Sequence, residues 1–134
     1  MTSQDSESNT SEFKSKGGIK RIWKAIAYSL EGLQTAFRFE HAFRQELVMV
    51  VIGFVVVLVL PLSIFERLLM TAVLVQVLVV ELINSAIEAV VDRVSLERHP
   101  LSKNAKDFGS AAVLLTVLIA IVTWAVILWN RFYY

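Results

Sequence analysis

Three stretches of this chain carry no charged residue: Leu47 to Phe65, Leu68 to Val80 and Phe108 to Asn130, which are 19, 13 and 23 residues long. All 13 Lys and Arg and all 12 Asp and Glu fall outside them. The first stretch would make roughly 28 Å of α-helix at 1.5 Å per residue, close to a bilayer hydrocarbon core of about 30 Å. The third is longer, with Trp124 and Trp129 placed for an aromatic belt at the interface. The apolar fraction of 56% exceeds the roughly 45–50% of soluble domains. The expected fold is therefore all-α, a polytopic membrane protein with three transmembrane helices.

The spans are expected at about 45–65, 67–91 and 105–130. Pro61 and the Glu66-Arg67 pair mark the turn between the first two, and a polar loop runs from Asp92 to Asp107 between the second and third. Ahead of the spans, Ile19, Ile22, Trp23, Ile26, Leu30, Leu33 and Phe37 recur mostly at steps of three and four, with Lys20, Arg21 and Lys24 on the other side. This pattern predicts an amphipathic helix over 19–38 lying in the membrane interface. Residues 1–18 are Ser/Thr-rich without apolar periodicity and are expected to be a disordered tail, leaving 19–134 as the membrane domain.

Seven Lys and Arg precede the first span, four lie between the second and third, and only Arg67 and Arg131 fall on the other side. Eleven against two predicts a cytoplasmic N-terminus and 92–107 loop, with the C-terminus outside. A net charge of +1 argues against a nucleic-acid partner and against an acidic tail protein. The lack of cysteine excludes disulfides, a CxxC redox centre and thiolate zinc sites. The chain opens on polar residues, so no cleavable signal is expected at its start. Three helices enclose little interior, so oligomerisation is expected, with Ala86, Ala89, Ala105, Gly109 and Ala112 as small surfaces for close helix approach.

The chemistry is expected on the second span. Glu81, Asn84, Glu88 and Asp92 are spaced by three, four and four residues, which aligns them on one helical face. A charge placed in hydrocarbon costs at least about 2.5 kcal/mol, so Glu81, among Val79, Val80 and Leu82, needs a reason to be there. Proton relay, metal binding and general-base work all supply one. For Asp92 the simpler reading, extension of the helix into the cytosol, suffices. Glu40, Arg44 and Glu46 flank the first span on the same side, while Glu97, Arg98, His99, Lys103, Lys106 and Asp107 fill the loop. Carboxylates beside several cations are what an Mg-nucleotide site needs, although a solvated loop has a similar composition. Neither a GxxxxGK[ST] loop nor a protein-kinase glycine loop is present, so any ATP site is of another design.

The run Glu81-Leu82-Ile83-Asn84-Ser85-Ala86-Ile87-Glu88-Ala89-Val90-Val91-Asp92-Arg93 resembles the signature of the prokaryotic diacylglycerol kinases, small integral membrane lipid kinases. Ala105-Lys106-Asp107-Phe108-Gly109-Ser110-Ala111-Ala112-Val113 and Ala42-Phe43-Arg44-Gln45-Glu46 are similar to that family too, and the likeness covers about Ile19 to Trp129. It implies a homotrimer in the bacterial inner membrane, with active sites shared between protomers at the cytoplasmic face. It also implies ATP as co-substrate and Mg as the divalent cation. Glu81 is then the general base for the lipid hydroxyl, and Glu40 and Glu88 hold the cation. Arg21, Tyr28, Glu97, Arg98, His99, Lys106 and Asp107 join those two around the nucleotide. Asn84 positions groups beside Glu81, and Arg21, Ser29, Arg44, Gln45, Glu46 and Ser110 lie near the lipid headgroup. Pro100 and the long tail before Gly17 depart from the family pattern without touching the implied base or cation ligands.

The activity implied is ATP-dependent phosphorylation of 1,2-diacylglycerol to phosphatidate. Undecaprenol kinase is the related alternative, and the Asn84-Ser85-Ala86 and Phe43-Arg44-Gln45-Glu46 forms look more like the diacylglycerol branch. An alternative of another class is a non-enzymatic membrane subunit whose intramembrane carboxylates pair with a partner's cations.

Overall fold

The computed structural model describes residues 18–95 and 97–133, so the tail expected ahead of Gly18 lies outside the described residues. The chain forms helices α1 (Gly18–Phe39), α2 (His41–Val59), α3 (Ile64–Val94) and α4 (Pro100–Tyr133), with no strand among the described residues. Helices α2, α3 and α4 are long and apolar enough to cross a membrane.

Two units meet between Gln34 and Thr35. The first contains α1 up to Gln34, and its apolar residues, Ile19, Ile22 and Trp23 among them, are exposed. In the second, α3 packs against both α2 and α4. Few side chains are buried in this unit. The outer faces carry Val48, Val51, Leu68, Leu115 and Ile119 in the open, as expected of helices whose solvent is lipid.

The first span is shorter than expected. Pro61 has no N–H to offer the carbonyl of Val57, and α2 stops at Val59, with Leu60 N still donating to Val56 O at 3.0 Å. Glu66 and Arg67 do different work at this turn. Ser63 and Glu66 form a capping box at the start of α3, with Ser63 N donating to Glu66 Oε2 at 2.6 Å and Glu66 N to Ser63 Oγ at 3.3 Å. Arg67 instead reaches back to the end of α2, donating to the carbonyls of Leu58, Leu60 and Leu62 at 3.3, 3.0 and 3.1 Å. Of these, Leu58 O is one of the α2 carbonyls left without an intrahelical donor, while Leu60 O also accepts from Leu62 N at 2.8 Å.

Val57, Leu62 and Met70 form the core beside this turn, with Leu60, Trp124, Ile127 and Leu128 packed on it. The absence of a side chain at Gly53 brings α2 close here. A Cβ at that position would meet Leu74 Cδ1 at 2.6 Å and the Trp124 ring at 3.3 Å. The indole lies in that space, and its Nε1 donates to Met70 O at 3.2 Å, joining α4 to α3.

At the other end of the unit the helices extend further than expected. Helix α3 runs on to Val94 and α4 opens at Pro100, so the polar connection over 92–107 contracts to 95–99. Proline suits the first helical position because its missing N–H would have no partner there. Lys103 and Asp107 are therefore helical neighbours and form an ion pair along α4.

Candidate active site

The face of α3 expected to carry the chemistry is turned into the protein. Glu81 is 4% exposed and Asn84 8%, and both are buried polar residues in an otherwise apolar interior. Together with Glu88 they line a cavity of about 300 Å³ that Glu40 and Glu46 reach from the start of α2 and Ser110 from α4. Glu40 is the N-cap residue of α2 and its side chain makes no capping hydrogen bond, so the carboxylate is not spent on the helix end. Arg44, one turn on, donates to the carbonyls of Phe37 and Arg38, each at 3.1 Å. That ties α2 to the last residues of α1, and those bonds give Arg44 a structural occupation.

Four carboxylates thus share one small cavity, and among the described residues none of them has a salt-bridge partner. Like charges at close range raise one another's energy, and either protons or a cation from elsewhere would relieve it. Among the described residues, no three His, Cys, Asp or Glu side chains are grouped closely enough to hold a metal by themselves. This is therefore no all-protein cage such as calcium takes. It suits a small hard cation that keeps several waters and is held by one or two carboxylates plus a phosphate.

Asn84 is the central fitting of the cavity. Its Nδ2 donates to Glu88 Oε1 at 3.2 Å, while its Oδ1 is buried without a hydrogen-bond partner. That oxygen lies against Gly109 of α4, where any Cβ would collide with it.

Two further spaces adjoin this region. Glu46, whose Oε2 is buried without a partner, also borders an apolar cleft of about 560 Å³ running past Gln45, Met49 and Val117 to Trp124. An acidic rim continuing into an apolar cleft suits a ligand with a polar head and a hydrocarbon tail. The second space, about 620 Å³, lies at the 95–99 connection and is lined by Asp92, Glu97, Arg98, His99, Lys103 and Lys106. Lys106 Nζ is 2.6 Å from Asp92 Oδ1, which joins the first turns of α4 to the last of α3. His99 Nδ1 accepts from Leu101 N at 3.2 Å, and Asp107 is held by Lys103.

The structure thus gathers Glu40, Glu46, Glu81, Asn84, Glu88 and Ser110 at one cavity, with Gln45 on the adjoining cleft. It groups Glu97, Arg98, His99 and Lys106 at another. Arg21, Tyr28 and Ser29 belong to the first unit and are exposed on α1, where Ser29 Oγ donates to Ala25 O at 2.9 Å. Ser85, which the sequence presents only as part of the Asn84-Ser85-Ala86 form, also lines the carboxylate cavity. Its place next to Asn84 in the motif is the available signal. Asp92, which the sequence explains simply as an extension of the helix into the cytosol, is also the ion-pair partner of Lys106.

Comparison with known proteins agrees with this architecture. Residues 27–128 match the family model described as prokaryotic diacylglycerol kinase. The diacylglycerol kinase of Pseudomonas aeruginosa is 57% identical over 118 residues, covering 88% of this chain and 96% of the relative. That of Escherichia coli K12 is 47% identical over 115 residues, 86% of this chain and 94% of the relative. The Haemophilus influenzae diacylglycerol kinase is 40% identical over 117 residues, 83% and 94% of the two chains. With the family model spanning most of its length, and with relatives of that name 57% and 47% identical across it, this chain belongs to the prokaryotic diacylglycerol kinase family.

Proposed function

We propose that this chain is an ATP-dependent diacylglycerol kinase that transfers the γ-phosphoryl group of ATP to the free hydroxyl of 1,2-diacylglycerol, giving phosphatidate and ADP. The observation that carries the reading is Glu81. It is a nearly fully buried residue on a helix long and apolar enough to span a membrane, set in a cavity with Glu40 and Glu88, inside the stretch that the family model matches.

In this reading the lipid stands with its glycerol hydroxyl at Glu81 and its hydrocarbon along the apolar cleft that Glu46 borders. Glu81 accepts the hydroxyl proton as the oxygen bonds to the γ-phosphorus, and the bond from that phosphorus to the bridging oxygen breaks to release ADP. A carboxylate is a weak base, so the proton moves late, and much of the acceleration comes from holding the two substrates in line. Lys106 and the cationic residues of the 95–99 connection supply positive charge for the phosphate oxygens, with Arg21 and Tyr28 of α1 completing the nucleotide's surroundings. Asn84, Gln45, Ser29, Arg44 and Ser110 serve the headgroup side.

Magnesium fits the carboxylate cavity. Its donors are hard oxygens without protein counter-cations, and Glu40 and Glu88 are the residues that would hold it. When bound it neutralises charge on the phosphate oxygens. The enzyme is proposed to work as a homotrimer in the bacterial inner membrane, N-terminus in the cytoplasm, in keeping with the excess of Lys and Arg on that side.

The deciding assay uses the purified full chain in lipid vesicles with MgATP, offering dioleoylglycerol and undecaprenol separately. Phosphatidate formation should dominate, and Glu81→Gln should lower it at least about a hundredfold, the low end of what general-base catalysis contributes. Faster turnover of undecaprenol would replace the lipid assignment. Near wild-type turnover by Glu81→Gln would remove Glu81 as the base, and no lipid phosphorylation at all would favour a non-enzymatic subunit.

A further inference from the structure

We infer that Gly109 is a positioning residue for the proposed active site: the space left by its missing side chain seats the amide of Asn84, and that amide in turn holds the Glu88 carboxylate. The inference rests on the reading of Glu88 as a cation ligand.

Glycine inside a helix is less stable than alanine, and Gly109 lies nine residues past the first residue of α4, clear of any capping position. Among the described glycines its surroundings are distinctive. Around Gly18 and Gly32 a Cβ would meet nothing within 4 Å, and at Gly53 it would meet only apolar side-chain atoms. At Gly109 it would collide with Asn84 Oδ1 and lie 3.2 Å from Asn84 Cγ. The missing methyl group is therefore replaced by one side chain's polar end.

That end is committed on both arms of a planar group. A carboxylate only accepts hydrogen bonds, so the arm facing Glu88 must be the amide nitrogen, which donates to Glu88 Oε1 at 3.2 Å. The oxygen is then the arm directed at α4, buried and without a hydrogen-bond partner. A buried acceptor left unpaired is costly, and the seat at Gly109 is what keeps the amide in this orientation. Pushing the oxygen out would rotate the plane and draw the nitrogen off Glu88. Gly109 thus acts through Asn84 on a proposed ligand, without touching substrate itself.

The test is a double-mutant cycle of Gly109→Ala and Asn84→Ala in the purified full chain. Its readouts are thermal unfolding, the Mg concentration for half-maximal rate, kcat at saturating MgATP, and Mn binding followed by electron paramagnetic resonance with a non-hydrolysable ATP analogue. Gly109→Ala should raise the half-saturating Mg concentration and the Mn dissociation constant about tenfold, the low end for disturbing a residue that orients a metal ligand. kcat should change less. Asn84→Ala should raise both cation constants likewise and lower kcat as well, because Asn84 also lines the cavity beside Glu81. With the amide gone a methyl group at 109 has nothing to displace, so the double variant should match Asn84→Ala in cation dependence and recover the stability lost by Gly109→Ala. If Gly109→Ala fails to fold, the double variant should fold.

The inference is overturned if the two substitutions add, if Gly109→Ala leaves Mn binding at the wild-type value, or if removing Asn84's amide rescues neither stability nor folding. Glu88→Gln, run alongside, separates the two levels. An unchanged Mg requirement in that variant overturns the reading of Glu88 itself, whereas a raised requirement together with an additive cycle overturns the role of Gly109 alone.

Discussion

Arg67 offers a quantitative test of how the turn between α2 and α3 is held. Its guanidinium donates to three carbonyls at the end of α2, and two of these bonds, to Leu62 and Leu60, are part-buried while the third, to Leu58, is exposed. A hydrogen bond to a charged group contributes about 1.5–3 kcal/mol when its loss leaves a buried partner unpaired, and an exposed carbonyl can turn to water. Leu60 O also accepts from Leu62 N at 2.8 Å and stays paired, so with a mid-range value for the bond to Leu62 and nothing for the other two, Arg67→Ala should cost about 2 kcal/mol. Arg67→Lys keeps the charge but replaces a fork by a single ammonium that cannot span the separated carbonyls. It should recover roughly half, leaving a loss of about 1 kcal/mol. Equilibrium unfolding in mixed micelles of mild detergent and sodium dodecyl sulfate measures both variants against wild type. A lysine variant within about 0.5 kcal/mol of wild type, or an alanine variant costing under 1 kcal/mol, would refute the argument that fork geometry at this turn stabilises the bundle.

Three further outcomes are expected. Ser63→Ala removes the side-chain half of the capping box and should cost about 1 kcal/mol in the same unfolding assay. Trp124→Phe loses the bond to Met70 O, and such bonds between membrane helices average about 0.6 kcal/mol and reach about 1.7; a loss above that range would show that the void left beside Gly53 matters more than the bond. Glu88→Ala should raise the Mg concentration for half-maximal rate at least about tenfold, and an unchanged titration would take Glu88 out of the cation's surroundings.

Long charge-free windows are legible because lipid imposes one demand over many consecutive residues, so α2, α3 and α4 follow directly from the sequence. Their ends depend on single residues. Pro61 shortens α2 by denying an N–H, while Pro100 starts α4 early because the first helical position needs none, a signal the sequence contains and the expected loop over 92–107 overlooked. The carboxylate face of α3 is legible for the same reason as the spans: helical period aligns Glu81, Asn84 and Glu88 whatever surrounds them. What α2 and α4 bring to that face is different in kind. Gly109 meets Asn84 across 25 positions and Trp124 meets Met70 across 54, and no local pattern encodes which faces of two apolar helices will touch. Arg67 illustrates the same limit at short range: the Glu66-Arg67 pair marks the turn, but only the structure shows Glu66 capping with Ser63 and Arg67 donating to backbone carbonyls.

The turn held by Arg67 and the capping box also has a mechanical meaning. Helix α2 is a rod of 19 residues, roughly 28 Å long at 1.5 Å per residue, clamped at one end with Glu40 at the other. For a rod of that length, each degree of tilt about the clamp displaces the far end by about half an ångström. Metal–oxygen distances are held to about 0.2 Å, so less than one degree of play at the clamp is enough to take the Glu40 end of α2 beyond that tolerance. At the proposed cation site, stiffness at the turn would be accuracy at the cavity, with the aim of the Glu40 carboxylate depending in part on a clamp five helical turns away from it.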